Sequence, residues 1–277
     1  MERGAGITVR VEEARVAGGL SGAARARIVA DGFLLLVLAV WYASSLRLPE
    51  FVLPNPVKVL TLTSRLFFDP DLVLHTAISL GRVIASVLLA LSIGSGLVLV
   101  ARYLPVTGLL VGNRLTPFFN SFPSLGWAIL AVIWFGVSDQ TVLFVETAIL
   151  LPFCMINMWE GIKNLDPELL EMAGSFARRR ARILRKVIFP LLFPYIFSAL
   201  RISYGVGWKV SLIAELFGAS TGLGYLLEQA RQHYDMPMVF ATVCAIIVLV
   251  AGMERLVFDR IERRVLRHLH AQEAPTL

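Results

Sequence analysis

Apolar residues along this chain gather into six long runs separated by short polar or charged stretches. They lie near 29–46 (VADGFLLLVLAVWYASSL), 77–100 (AISLGRVIASVLLALSIGSGLVLV), 116–136 (TPFFNSFPSLGWAILAVIWFG), 140–159 (QTVLFVETAILLPFCMINMW), 191–217 (LLFPYIFSALRISYGVGWKVSLIAELF) and 237–257 (PMVFATVCAIIVLVAGMERLV). A helix needs roughly 20 predominantly apolar residues to cross a hydrocarbon core of about 30 Å, so each run predicts one membrane span. The first run is short and the third carries Pro117 and Pro123. Between the fourth and fifth runs the pattern changes: EMAGSFARRRARILRKVIFP, residues 171–190, holds an apolar stripe, then a dense basic cluster, then apolar chain again.

Composition agrees with a lipid-embedded chain. The sequence is 57% hydrophobic and 17% charged, well below the roughly 25% charge of an ordinary soluble domain, and its mean hydropathy is +0.72. Orientation follows from Lys and Arg, which accumulate in cytoplasmic loops. Arg3, Arg10, Arg15, Arg25 and Arg27 precede the first span. Arg102 and Arg114 lie between the second and third, and Lys163, Arg178, Arg179, Arg180, Arg182, Arg185 and Lys186 between the fourth and fifth. Arg255, Arg260, Arg263, Arg264 and Arg267 follow in the last turn and tail, while the other side holds only Arg47, Lys58, Arg65 and Arg231. Both termini are therefore expected in the cytoplasm. The expected layout is a cytoplasmic tail over 1–28, a membrane domain over 29–257 with a cytoplasmic loop at 165–190, and a second tail over 258–277. Five arginines before the first apolar run, with no small-residue cleavage site after it, favour a retained span over a signal peptide.

The net charge of +6 does not point to nucleic acid, because the basic residues sit at inner membrane edges, where anionic lipid headgroups are their partners. Cys154 and Cys244 lie inside apolar spans, where free cysteine acts as a small hydrophobe, and two such residues make neither a disulfide framework nor a metal site. No Ser/His/Asp constellation, HExxH or phosphate-binding GxxxxGK[ST] occurs, so the chain is not expected to be an enzyme and any nucleotide hydrolysis belongs to another subunit.

The cytoplasmic loop predicts a short helix. Asp166 suits an N-cap, Pro167 the first helical position, and Glu168 and Glu171 the positive end of the helix dipole. Leu165, Leu169, Met172, Ala173 and Phe176 then share one face. Such a helix could lie in the headgroup layer or seat its apolar face in a groove on a partner; periodicity alone favours the interfacial position.

E-M-A-x-x-x-A at Glu171, Met172, Ala173 and Ala177, with Ile188, Phe189 and Pro190 closing the loop, resembles the E-A-A-x-x-x-G-x(9)-I-x-L-P loop of permease subunits of ATP-binding-cassette importers. LPNPVKVL after the first span, AVIWFGVSD closing the third, and ALRISYGVGWKVSLIAELFGASTGLGYLLEQA in and after the fifth are similar to the nitrate, sulfonate, taurine and bicarbonate branch of that family, from about residue 30 to 260. The resemblance implies an all-α polytopic protein of the bacterial inner membrane with about six spans, N-in and C-in. It implies a homodimer, two cytoplasmic ATPase subunits that use ATP and Mg, and a periplasmic solute-binding protein; this chain would bind no cofactor. The loop helix would then be a coupling helix, with Leu169, Met172 and Phe176 as knobs in an ATPase groove and Glu171, Arg178, Arg179 and Arg180 on the polar rim. Ala177 departs from the pattern: glycine there would turn with positive φ at little cost, whereas alanine implies either helical continuation or local strain.

Substrate chemistry is sought among polar groups inside the spans, which are costly and usually face a cavity or partner. In the fifth span, Tyr204, Gly205, Trp208, Leu212 and Glu215 fall within about 60° of Arg201 around the helix, with Lys209 at the edge. Arg201 and Glu215 stand about 21 Å apart along the axis, so each needs another partner. Arg201 and Lys209, shaped by Tyr204 and Trp208, are candidates for an anion path. The alternatives are that Arg201 pairs with a carbonyl or with Glu146 and that Lys209 snorkels to the surface. Glu215 is expected as a gate or packing contact near the outer end. Asn120, between Pro117 and Pro123, suggests a broken helix lining the path or a plain proline kink. Ser86, Ala90 and Gly94, at every fourth position, predict close helix packing. The turn GASTGLGY (218–225) is ordinary turn chemistry first and a docking surface for the binding protein second. A secondary transporter would show inverted repeats or a proton relay, which Glu146 and Glu215 are too few to form. Within the importer class, a neutral or cationic cargo such as a thiamine-pyrimidine precursor is the alternative to an organic or inorganic anion, since a fold does not fix its cargo.

Overall fold

The computed structural model describes residues 5–103, 114–176 and 180–263, and among them the regular structure is entirely helical. In chain order the helices are α1 (Ala5–Ser45), α2 (Pro56–Phe68), α3 (Pro70–Tyr103), α4 (Thr116–Ser121), α5 (Ser124–Phe135), α6 (Asp139–Lys163) and α7 (Pro167–Phe176). There follow α8 (Arg180–Ile183), a π-helical turn (Leu184–Ile188), α9 (Phe189–Gly218), α10 (Leu223–Gln232), α11 (Met236–Met253) and a second π turn (Glu254–Phe258).

Local chemistry sets the boundaries. The Asn55 side chain accepts from the Val57 amide at 2.9 Å and Pro56 opens α2, Ser138 caps α6, and Asp235 accepts from the Met238 amide at 3.2 Å before Pro237 in α11. Five helices among the described residues are long and apolar enough to cross a membrane: Ala24–Ser45, Pro70–Ala101, Asp139–Lys163, Arg185–Gly218 and Met236–Arg263. The third apolar run does not form one helix. Phe122 is extended ahead of Pro123, as a residue before proline prefers, and this divides the run into α4 and the 12-residue α5. At 1.5 Å per residue α5 reaches only about 18 Å, short of a bilayer core. Of the two expectations for this run, the broken helix is the one observed.

Helices α3, α6 and α9 form the packed centre, with α5 against α6 and α9, and with α2, α10 and α11 grouped beside α3 and α9. The predicted small-residue stripe is where α3 meets α6. Ser86 and Ala90 are wholly buried, and a Cβ added at Gly94 would stand 3.1 Å from Cys154 Cβ and 3.3 Å from the Met155 amide nitrogen. Gly207 of α9 likewise approaches Val83 and Leu150. Without a hydrophobic driving force between helices in lipid, such close approach is what lets dispersion hold them together. In contrast, α1 exposes Phe33, Leu34, Leu35 and Leu36 and packs against α2. Trp41 Nε1 donates to the Pro54 carbonyl at 3.1 Å, and the Trp41 ring lies 5.9 Å from Phe240. Its apolar surface suits lipid contact.

Gly94→Leu should force α3 away from α6 and cost about 1–3 kcal/mol, as overpacking does; a thermal unfolding midpoint in detergent lower than the wild type's is the expected reading.

Candidate functional site: a loop helix and a buried polar seam

The loop helix forms as its sequence dictates. Asp166 Oδ1 accepts from the Glu168 amide at 2.9 Å, and α7 runs from Pro167 to Phe176. Its expected apolar face divides in two. Leu165 is buried against the core group containing Met158, Ile162 and Leu192, whereas Leu169 and Met172 remain 36% and 56% exposed. Glu171 is exposed and Ala173 half-buried. Ala177, Arg178 and the Phe176 side chain lie outside the described residues. The helix is thus anchored at its start and presents uncovered apolar side chains beyond it. From α8 the chain passes through the π turn directly into α9, where Pro190 occupies the first turn. The end of the loop is therefore continuous with a 30-residue helix of the packed centre.

At the far end of α9 lies a polar seam. Glu215 is 1% exposed; Ser79 Oγ donates to its carboxylate at 2.8 Å, and so does the Gly224 amide. Arg82 Nη1 of α3 donates to Glu215 Oε1 and to the Thr221 carbonyl, both at 2.8 Å. Arg82 Nη2 reaches Asp139 at the start of α6 and Thr221 Oγ1. Ser79 Oγ accepts from the Leu223 amide at 2.7 Å, and the Gly222 amide donates to His75 Nδ1 at 3.0 Å. One arginine and one glutamate thereby tie α3, α6 and α9 to the turn before α10. Gly222 has φ +111°, and a Cβ there would collide with the Glu215 carboxylate. This glycine answers both a backbone and a space requirement. On α10, hydrogen bonds from Arg231 and then Gln232 hold the Glu228 carboxyl at about 2, below the usual carboxylate range.

A second cluster gathers around Arg201. Its Nε donates to Glu254 Oε1 at 2.7 Å and its Nη1 to Glu262 Oε2 at 2.6 Å, with Asp259 at 3.3 Å. The partners are therefore three carboxylates after α11, neither Glu146 nor a carbonyl. The π turn explains their convergence, because its hydrogen bonds span five residues and the Asp259 amide bonds the Glu254 carbonyl, stacking the two.

The predicted polar face of α9 turns inward. Tyr204 and Trp208 are 4% and 1% exposed, with Tyr204 Oη bonding the Leu249 carbonyl at 3.3 Å and the Tyr204 ring against Phe258. Lys209, at the edge of that face, is exposed. Asn120 is exposed in the last turn of α4, next to the break. Sequence reading missed Ser79, Arg82 and Asp139. The signal was present: an arginine inside an apolar run, with Ser79 and Ser86 at helical spacing on its face.

A bundle of long apolar helices around a buried ion pair, with an amphipathic helix beside it, is the architecture of a multi-pass membrane protein. Residues 96–267 match the family described as the binding-protein-dependent transport system inner membrane component. The chain is 30% identical over 243 residues to the taurine transport system permease protein TauC of Escherichia coli, spanning 84% of this chain and 87% of the relative. It is 32% identical over 256 residues to the putative aliphatic sulfonates transport permease protein SsuC of the same organism, spanning 89% and 95%. The fold is similar to that of an inward-facing MetNI methionine ABC transporter chain, with a TM-score of 0.59 at 18% identity over 70% of this chain and 95% of that one. The chain belongs to this family of inner-membrane ABC transporter permeases.

Arg82→Leu should leave Glu215 unpaired in the bundle, costing about 3–5 kcal/mol. The double variant Arg82→Leu/Glu215→Leu should recover part of that loss. Thermal unfolding of the three proteins in detergent checks the order.

Proposed function

We propose that this chain is the membrane-spanning subunit of an ATP-driven importer for a small anion, a sulfonate, taurine or a nitrate-like ion, delivered by a periplasmic binding protein. Two copies pair, both termini face the cytoplasm, and each copy seats α7 in one ATPase subunit, which supplies ATP and Mg chemistry. The observation that carries the reading is α7 itself. An amphipathic helix at the E-A-A-like motif, with Leu169 and Met172 uncovered, has the surface that helix-in-groove docking requires. Movement imposed on α7 passes through the π turn into α9 and so into the packed centre, a rigid-body displacement suited to alternating access.

The anionic cargo rests on the similarity to TauC and SsuC and on the distribution of positive charge in α9. Arg201 is engaged by Glu254, Asp259 and Glu262. Lys209 is exposed and makes no ion pair among the described residues, so it can draw an anion along the face where a second copy would lie. Tyr204, Trp208 and Glu215 support that path from behind, and Asn120 borders it at the helix break.

Met172→Asp places a charge on the docking face and should abolish co-purification with the ATPase while the permease still inserts; retained co-purification would remove α7 from the interface. Lys209→Ala should lower binding-protein-stimulated uptake of the cognate anion by roughly tenfold, the scale of one lost charge-assisted contact, with ATPase assembly intact. Unchanged uptake assigns Lys209 to the lipid face and favours a neutral or cationic cargo.

A further inference from the structure

One turn deeper in the bundle than the Arg82–Glu215 layer lies a second polar layer. Ser86 follows Arg82 by four residues on α3, Ser211 precedes Glu215 by four on α9, and Glu146 stands between them on α6, seven residues beyond Asp139. All three are buried: Glu146 and Ser86 are 0% exposed and Ser211 is 2% exposed. The Ser86 and Ser211 hydroxyls are the polar groups that act on the Glu146 carboxyl at short range. Neither carboxyl oxygen completes a hydrogen bond in the geometry shown, and the two hydroxyls are open as well. The charged groups facing Glu146 are Glu215 of α9 and Arg82 of α3.

Charge bookkeeping then decides the state of this carboxyl. Arg82 already answers two carboxylates, Glu215 and Asp139, through Nη1 and Nη2. Ionising Glu146 would add a third negative charge to one guanidinium within a medium where an uncompensated charge costs several kcal/mol, about 2.5 or more even on the gentlest scales. A neutral carboxylic acid instead offers one O–H donor and a carbonyl acceptor. Together with two rotatable hydroxyls, it can close a fully bonded set of three groups.

We propose that Glu146 carries its proton in the folded protein and, as a neutral acid, donates to one serine hydroxyl while accepting from the other, clamping α6 to α3 and α9. The proton comes from solvent during insertion and folding, and no charge is left in the layer. Where the first layer joins these helices by a shared ion pair, the second joins them without net charge. Glu146 is in this sense a positioning residue: it touches no cargo and acts by fixing the mutual register of α3, α6 and α9. The assignment depends on burial and hydrogen-bonding capacity, so it stands independently of which solute is carried.

Infrared spectroscopy of the purified full-length protein tests it. Wild type at mildly acidic to neutral pH should show a deuteration-sensitive carbonyl band of a buried, protonated carboxyl that disappears in Glu146→Gln. Glutamine keeps the shape, donor and acceptor of the neutral acid, so E146Q should unfold at the wild-type temperature and support uptake within about twofold of wild type. Glu146→Asp keeps the ionisable group but loses the reach, and should fall roughly tenfold in folded yield, as for a buried polar group left unsatisfied. Absence of the protonated band overturns the proposal. So does an E146Q protein that fails to fold or transport while E146D succeeds, since that order requires an ionised carboxylate.

Discussion

An arginine and a glutamate taken out of water cost several kcal/mol each, and in this bundle the expense is recovered because both Arg82 Nη atoms and both Glu215 oxygens find partners. Arg82 and Glu215 come from helices far apart in sequence, and Ser79, Thr221, Asp139 and the Gly224 amide complete the set. The pair fixes more than its own position. Breaking the register of α3 against α9 by one residue would turn Arg82 or Glu215 toward apolar side chains, so the ion pair enforces a single arrangement of the packed centre. In lipid, where apolar contact discriminates weakly between registers, that specificity has to come from polar groups and from small residues that permit close approach.

Gly94, Ala90 and Ser86 supply the second requirement. Their small side chains bring the α3 backbone near Cys154 and Met155, and the same closeness carries Ser79 and Arg82 to the end of the bundle where Glu215 arrives. Packing and polar pairing are thus consequences of one spacing along α3, in which polar or small residues at 79, 82, 86, 90 and 94 share a face. Opposite requirements govern α1, whose large apolar side chains are left exposed; a helix that meets lipid has no need of a small-residue seam.

Much of this was legible in the chain. Apolar runs of about 20 residues located the long helices because a bilayer imposes that length, and Asp166 with Pro167 located α7 because helix termini need capping. Pro123 marked the break before α5, although a proline permits either a kink or an interruption, and only the extended Phe122 distinguishes them. What could not be read was pairing across the fold. Arg201 and Glu215 each demanded a counter-ion, but the sequence does not say that Glu215 would meet Arg82 or that Arg201 would meet Glu254, Asp259 and Glu262. The latter depends on a π turn that shifts the helical register at the end of α11, and no residue type announces such a turn. The inward direction of Tyr204 and Trp208 was equally hidden, since an aromatic stripe on a spanning helix suits a path and a core alike.

Helix α9 connects these features mechanically. Its first turn follows the loop that carries α7, its middle holds Arg201 against the end of α11, and its last turns hold Ser211 and Glu215 against α3 and α6. A stiff rod of 30 residues, about 45 Å long at helical rise, transmits a displacement at one end to the other unless it bends. Its two weak points, the π turn before Phe189 and Pro194 within the helix, both lie near the α7 end. The portion from Arg201 to Glu215 is therefore the rigid part, fixed to its neighbours by two polar clusters, and bending is confined to the segment between the loop and the bundle. That distribution of stiffness allows the α7 end to shift without loosening the buried ion pair on which the rest of the fold depends.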